Sequence, residues 1–195
     1  MLLYSFKITP NNRKVEAFIA HFDLPIEIHQ ISFKHQEHFS EEFIAINPMS
    51  KVPALVDGDF KLWESNAILT YLAEKFPETN ALPIDAEGRA DADRWLHWQS
   101  CHLLPTQIAI KMGTEKDMNA FDPLFNVLES RLKDQTFMLS HRLPDVSIVD
   151  FGIAAYLITK LGNQYDYSGH PNVAKWRERM LNTKGFLETD IKFSP

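Results

Sequence analysis

The stretch Asn47–Ser65, NPMSKVPALVDGDFKLWES, constrains the fold more than any other. Pro53 opens a short apolar run, Ala54-Leu55-Val56. Asp57-Gly58 follows, a strong hairpin signal, and Phe60-Lys61-Leu62-Trp63 alternates as the returning strand. Glu64-Ser65 then leads into a helical pattern, with Ser65 placed as its N-cap. The ring of Pro53 excludes the helical region for Val52, so the backbone there is extended and can offer its main chain to an extended peptide. The helix start beside it presents N–H groups and a hydroxyl, which suit an anion. An extended peptide with a carboxylate at one end fits both. Taken alone, the plainer reading of the stretch is an ordinary hairpin followed by a capped helix.

The flanking sequence gives that hairpin a context. Leu2–Phe6 is a short apolar run closed by a turn cluster, Thr9-Pro10-Asn11-Asn12. Val15, Phe18, Ile19 and Phe22 fall at i, i+3, i+4 and i+7 and predict an amphipathic helix, which Leu24-Pro25 breaks. Ile26, Ile28 and Ile31 mark a second strand, and the βαβ connection requires the two strands to be parallel. Phe33–Phe39 is polar and His-rich and reads as a loop; Phe43 and Ile44 lie on a short helix. The hairpin and a helix over Ser65–Phe76 complete the order βαβ-ββα, with a mixed four-stranded sheet. Residues 1–76 therefore form one α/β domain. Residues 77–88 (PETNALPIDAEG) are a turn-rich linker, and 89–195 form an all-helical domain without a convincing strand. Its helices are predicted over Arg89–Leu104, along the row Phe121, Leu124, Phe125, Leu128 and Leu132, from Ser147 to about Leu161, and around Val173, Trp176 and Met180. Ser147-Ile148-Val149-Asp150 reads as a capping box with Asp in place of the usual Glu, and Val146 can staple to Phe151.

Composition excludes several classes of function. The chain has 195 residues, enough for a real core, and is 45% hydrophobic and 24% charged, as ordinary soluble proteins are. Its net charge of −6, without a Lys/Arg cluster, speaks against nucleic acid as a partner. The longest apolar runs are too short to span a membrane, and MLLYSFKI reads as a strand, not a signal peptide. A single cysteine rules out an internal disulfide framework and points to the cytoplasm.

The order of elements in the first half is that of a thioredoxin-like domain. Redox members of that fold carry C-x-x-C at the start of the first helix; here that place holds Thr9-Pro10-Asn11-Asn12, and the only cysteine, Cys101, lies in the helical half. A thiol-handling site without its own thiol must borrow one, and a small thiol peptide is the natural lender. The chain resembles a cytosolic glutathione transferase over nearly its whole length. The resemblance is carried by NPMSKVP from Asn47 to Pro53, ESNAI from Glu64 to Ile68, and SIVD from Ser147 to Asp150. It implies that Val52 pairs through its backbone with the cysteinyl part of glutathione, that Pro53 is cis, that Glu64 and Ser65 hold the γ-glutamyl end, and that Lys51 reaches the glycine carboxylate. The Thr-Pro-Asn start is similar to a bacterial subgroup whose members reduce disulfides with glutathione. In place of the usual activating Tyr, Ser or Cys, the chain offers Thr9, with Asn11 beyond it.

Other residues allow alternatives. Thr9 and Asn11 can act on the thiol, cap the first helix, or do both. Tyr4 and Ser5 are alternative hydroxyls inside the first strand. Arg13 is expected to be a solvated helix charge. His29, His35 and His38 surround a loop without a fourth ligand at zinc spacing, so no metal is expected. Cys101 is expected to be packed. Trp95, Trp98, His102, Gln107 and Tyr156 are candidates for a substrate cleft or for the core. The resemblance implies a homodimer that conjugates the glutathione thiolate to a small hydrophobic electrophile held between the domains. The alternatives are a glutathione-dependent disulfide reductase or peroxidase, and a non-catalytic binding module of the same fold.

Overall fold

The apolar start of the chain forms the centre of the sheet. In the computed structural model, which describes residues 1–191, β1 is Leu2–Ser5, with Leu3 and Ser5 fully buried. Helix α1 follows over Pro10–His21; proline suits its first turn because the N–H it lacks has no partner there. Strand β2 (Glu27–Gln30) pairs in parallel with β1, Leu2 opposite Glu27 and Ser5 opposite Gln30. Ile26 and Ile31 flank β2 because β1 offers only 4 residues to pair with. The short α2 (Glu41–Ile44) is capped by Ser40, whose hydroxyl accepts from the Phe43 N–H.

Strands β3 (Ala54–Asp57) and β4 (Phe60–Trp63) form the expected hairpin, and β3 runs antiparallel to β1, so the sheet order is β2-β1-β3-β4. Asp57 pairs with Phe60, which places the two-residue turn at Gly58-Asp59, one position later than Asp57-Gly58. Gly58 enters it at φ +61°, a left-handed value that glycine adopts without a Cβ penalty. Helix α3 spans Ser65–Lys75. The core between sheet and helices is apolar, with Leu3, Val15, Phe18, Leu55, Ile68, Leu69 and Leu72 at zero exposure.

Regular structure in residues 77–182 is helical throughout: α4 (Ala86–Trp98), α5 (Leu104–Lys111), α6 (Asp122–Leu132), α7 (Ile148–Leu157) and α8 (Pro171–Leu181). A π-turn at Gln99–Leu103 joins α4 to α5. Trp95, Leu96, Gln99, Leu103 and Gln107 are buried along this line, and Cys101 falls between them on the exposed side, contrary to its expected packing. Every residue of α7 is buried. The capping box forms as read: Ser147 Oγ accepts from Asp150 N–H, and Asp150 Oδ2 accepts from Ser147 N–H at 2.9 Å. Asp150 Oδ1 also accepts from Met138 N–H and Trp176 Nε1, each at 2.8 Å, so one carboxylate fixes three segments. The helix stops at Leu157 rather than near Leu161, because the Thr159 hydroxyl takes over the local hydrogen bonding with the Tyr156 carbonyl and Gly162 N–H. No helix among the described residues is long and apolar enough to cross a membrane.

The chain divides into two compact units at Phe76/Pro77. Residues 183–191 belong to the first unit. The last helix, α9 (Lys184–Glu188), lies against α1. Gly185 permits the approach: a Cβ there would stand 2.0 Å from the Ala17 carbonyl oxygen. Arg13 is consequently buried, not solvated. Its guanidinium donates to the Phe186 carbonyl at 3.3 Å and Asp190 at 3.4 Å, and lies 5.4 Å over the Phe186 ring.

Candidate functional site

The loop before β3 is built by its own side chains. Asn47 is buried; its amide donates to the Lys51 carbonyl at 2.6 Å, and its side-chain oxygen accepts from Met49 N–H at 3.0 Å. This tight closure carries Ser50 at φ +52° and delivers the chain to a cis Val52–Pro53 peptide bond. Val52 and Trp63 pack on a small apolar cluster of Ile31, Phe43 and Ala54, which supports the loop from beneath.

The start of α3 differs from the expected cap. Glu64, not Ser65, holds the N-cap position, at φ +72° and without a side-chain cap, and Ser65 is the first helical residue. The reason is a long-range partner: the buried Ser65 hydroxyl donates to Asn11 Oδ1 at 3.0 Å rather than serving its own helix. A non-glycine residue in such a sparsely populated backbone region costs on the order of 1–3 kcal/mol, and strain of this kind gathers at ligand sites. Glu64 is exposed, and the N–H groups of the first turn of α3 follow it directly.

At the start of α1, Thr9 occupies the N-cap position, yet its side chain makes no cap hydrogen bond. Thr9 Oγ1 instead accepts from Asn12 Nδ2 at 2.5 Å. The same nitrogen lies 3.4 Å from the Val52 carbonyl oxygen. Ser5, one of the alternative hydroxyls, is internal: its Oγ is 3.2 Å from Asn12 Oδ1 and 2.5 Å from Glu16 Oε1, which also accepts from Gln30 at 2.7 Å. Tyr4, the other, packs edge-on against His29 and Phe43. Lys14 is fully buried on α1 and donates to Asn66 Oδ1 at 2.5 Å. Burial pushes its pKa down to about 7, with the Glu64 carboxylate opposing the shift.

These elements meet around one cavity, lined by Asn11, Asn47, Met49, Lys51, Val52, Pro53, Trp63, Glu64 and Ser65. Six of the residues singled out in the sequence, Asn11, Lys51, Val52, Pro53, Glu64 and Ser65, are therefore brought together. Thr9 is outside that lining and is connected to it through Asn12. Sequence reasoning passed over Asn12, Lys14 and Glu16. An amphipathic reading puts polar residues of a helix in solvent, whereas α1 is buried continuously from Asn12 to Ile19; Asn12, Lys14 and Glu16 alternate along a helix that also carries Asn11 and Arg13, and nothing in that pattern marks them as covered. Gln107 and Tyr156 are buried, with Gln107 Nε2 donating to the Tyr156 carbonyl at 2.8 Å, which makes both structural. His29 pairs with Glu37 and His38 packs between Phe33 and Phe39. The cavity as a whole offers main-chain groups at Val52, a carboxylate at Glu64, a cation at Lys51, and hydroxyl and amide groups at Ser65 and Asn11. That set is complementary to a short zwitterionic peptide.

Comparison with known proteins points the same way. The family model for the glutathione S-transferase N-terminal domain matches residues 1–74. Glutathione S-transferase theta-1 of Rattus norvegicus is 31% identical over 95% of this chain and 85% of its own. Among solved structures, a possible glutathione S-transferase from Rhodopseudomonas palustris is 27% identical with a TM-score of 0.79, covering 100% of this chain and 98% of its own. A glutathione transferase from Burkholderia graminis, solved with two glutathione molecules bound per subunit, is 27% identical with a TM-score of 0.81, covering 99% of this chain and 89% of its own.

Proposed function

Since this chain belongs to the glutathione S-transferase family, we propose that the cavity of its first unit binds glutathione and that the bound thiolate is the nucleophile of the reaction. The convergence of Asn11, Lys51, Val52, Pro53, Glu64 and Ser65 on one cavity supports this reading most. In it, the Val52 main chain pairs with the cysteinyl residue. Ser65 and the first N–H groups of α3 receive the γ-glutamyl carboxylate, with Glu64 beside the α-amine. Lys51 meets the glycine carboxylate, and Thr9 and Asn11 face the sulfur. The thiolate then attacks an electrophilic carbon of a small hydrophobic co-substrate, a C–S bond forms, and the leaving group departs with its electron pair.

A second reading is disulfide reduction. It is favoured by the two glutathione molecules bound per subunit in the Burkholderia graminis protein. Here the bound thiolate attacks a disulfide sulfur, one substrate sulfur leaves as thiolate, and a second glutathione thiolate resolves the mixed disulfide to oxidised glutathione. One purified sample, assayed side by side with a chloronitrobenzene electrophile and with a small disulfide plus glutathione, decides between them. Conjugation predicts the faster turnover with the electrophile. A non-catalytic module would turn over neither and would flow through glutathione-agarose. The family relationship also leads us to expect a homodimer in the cytoplasm; sedimentation as a monomer at micromolar concentration would remove the former.

A further inference from the structure

We propose that Asn12 is a positioning residue that fixes the Thr9 hydroxyl as a one-way donor toward the sulfur of the bound peptide; this rests on the glutathione reading above. The neighbours of the Asn12 amide determine which of its ends is which. The Val52 carbonyl, 3.4 Å away, can only accept, so the group facing it is the amide NH₂. The oxygen end then faces Ser5 Oγ at 3.2 Å. With both ends assigned, the remaining contact is settled: Asn12 Nδ2 donates to Thr9 Oγ1 at 2.5 Å, and Thr9 accepts. A hydroxyl has one hydrogen, and an incoming N–H on one lone pair turns that hydrogen away. Among the described residues, the side-chain hydrogen bond of Thr9 is the one it accepts from Asn12, and no group takes the hydroxyl hydrogen.

Asn12 is itself immobilised. The residue is 1% exposed and its side chain is held at both ends, with Ser5 anchored in turn 2.5 Å from the buried carboxylate of Glu16. One nitrogen joins Thr9 to the carbonyl of Val52, a residue of the cavity wall, so the hydroxyl is tied to the position of the wall that would hold the cysteinyl residue. A donor aimed in advance stabilises a developing anion without reorganising when the anion forms. A hydroxyl free to rotate loses part of that effect.

The test is thiolate absorbance of protein-bound glutathione against pH, with affinity measured in parallel by calorimetry. The samples are wild type, Asn12→Leu, Thr9→Val, Thr9→Ser and the Thr9→Val/Asn12→Leu double variant. Asn12→Leu should raise the midpoint by about 0.5–1 pH unit while changing affinity less than about threefold. In the Thr9→Val background the same substitution should move the midpoint by less than about 0.2 unit. Thr9→Ser keeps the acceptor and the hydrogen and should keep the wild-type midpoint. A shift of equal size in both backgrounds, or none in either, overturns the proposal. Wild type failing to bind glutathione overturns the functional reading and this inference together, and is seen before any variant is compared. If Asn12→Leu does not fold, neutron diffraction of deuterium-exchanged wild-type crystals with glutathione reads the same point. A Thr9 deuterium directed at sulfur supports the assignment, and one directed at Asn12 overturns it.

Discussion

Ser65 Oγ donates to Asn11 Oδ1 at 3.0 Å and so ties the first turn of α3 to the first turn of α1 across 54 residues of chain. In the proposed function these two turns serve two parts of one ligand, the γ-glutamyl carboxylate and the central thiol. Ser65→Ala should therefore weaken glutathione binding, since the one hydroxyl hydrogen that Asn11 receives in the free protein turns to the carboxylate when the peptide binds. A hydrogen bond to a charged group is worth about 1.5–3 kcal/mol, which corresponds to roughly a 10- to 150-fold loss of affinity. Calorimetry checks it, and unchanged affinity would remove Ser65 from the site.

The C-terminal segment is held to α1 by close packing. Gly185→Ala would place a methyl group 2.0 Å from the Ala17 carbonyl oxygen, so α9 must move away. Such overpacking costs about 1–3 kcal/mol. The expected outcome is a lower melting temperature and faster proteolysis after Thr183, with Arg13→Met giving the same pattern through loss of its bonds to Phe186 and Asp190. A melting curve unchanged in both variants contradicts the anchoring role.

Lys14 makes stability depend on pH. Its folded pKa is near 7, well below the ordinary lysine value, because burial disfavours the charge. Between those two values the unfolded chain holds a proton that the folded chain lacks, so unfolding takes up a proton and stability rises with pH. The contribution is complete above the unfolded value and lost as pH falls through about 7. Against a Lys14→Met variant, wild-type stability should gain steadily from pH 7 to pH 10, measured by denaturant unfolding. A constant difference over that range would mean that Lys14 keeps its proton in the fold.

Asp150 is predicted to act on stability alone. Asp150→Ala removes the acceptor of Ser147, Met138 and Trp176 and leaves buried donors unpaired, at about 1–3 kcal/mol for each. A large drop in melting temperature is expected, with glutathione affinity per folded molecule unchanged. Full stability of the variant would refute the assignment.

What was legible in the sequence was local. The capping box at Ser147 and Asp150 spans three residues and forms as read, and the hairpin misses its turn by one position because the strand pairing extends to Asp57. What was not legible depends on partners far along the chain. Ser65 is no N-cap because Asn11 receives its hydroxyl, and Arg13 is no surface charge because Phe186 and Asp190 return to cover it. The polar residues of α1 were hidden for the same reason: a helix covered on all sides has no solvent face for a periodic pattern to reveal. The motif residues around the cavity could be named one by one, but their convergence is a property of the fold.

The most direct measurement of the central claim is the absorbance of glutathione thiolate on the wild-type protein as a function of pH. A free thiol titrates near pH 8.5. One hydrogen bond to the anion supplies about 1.5–3 kcal/mol and a helix N-terminus about 0.3–1 kcal/mol, together enough to lower the midpoint by about two units. The account predicts a midpoint near about pH 6.5 for the bound peptide. A midpoint that stays near the free value, on a sample that calorimetry shows to be saturated with glutathione, would contradict it.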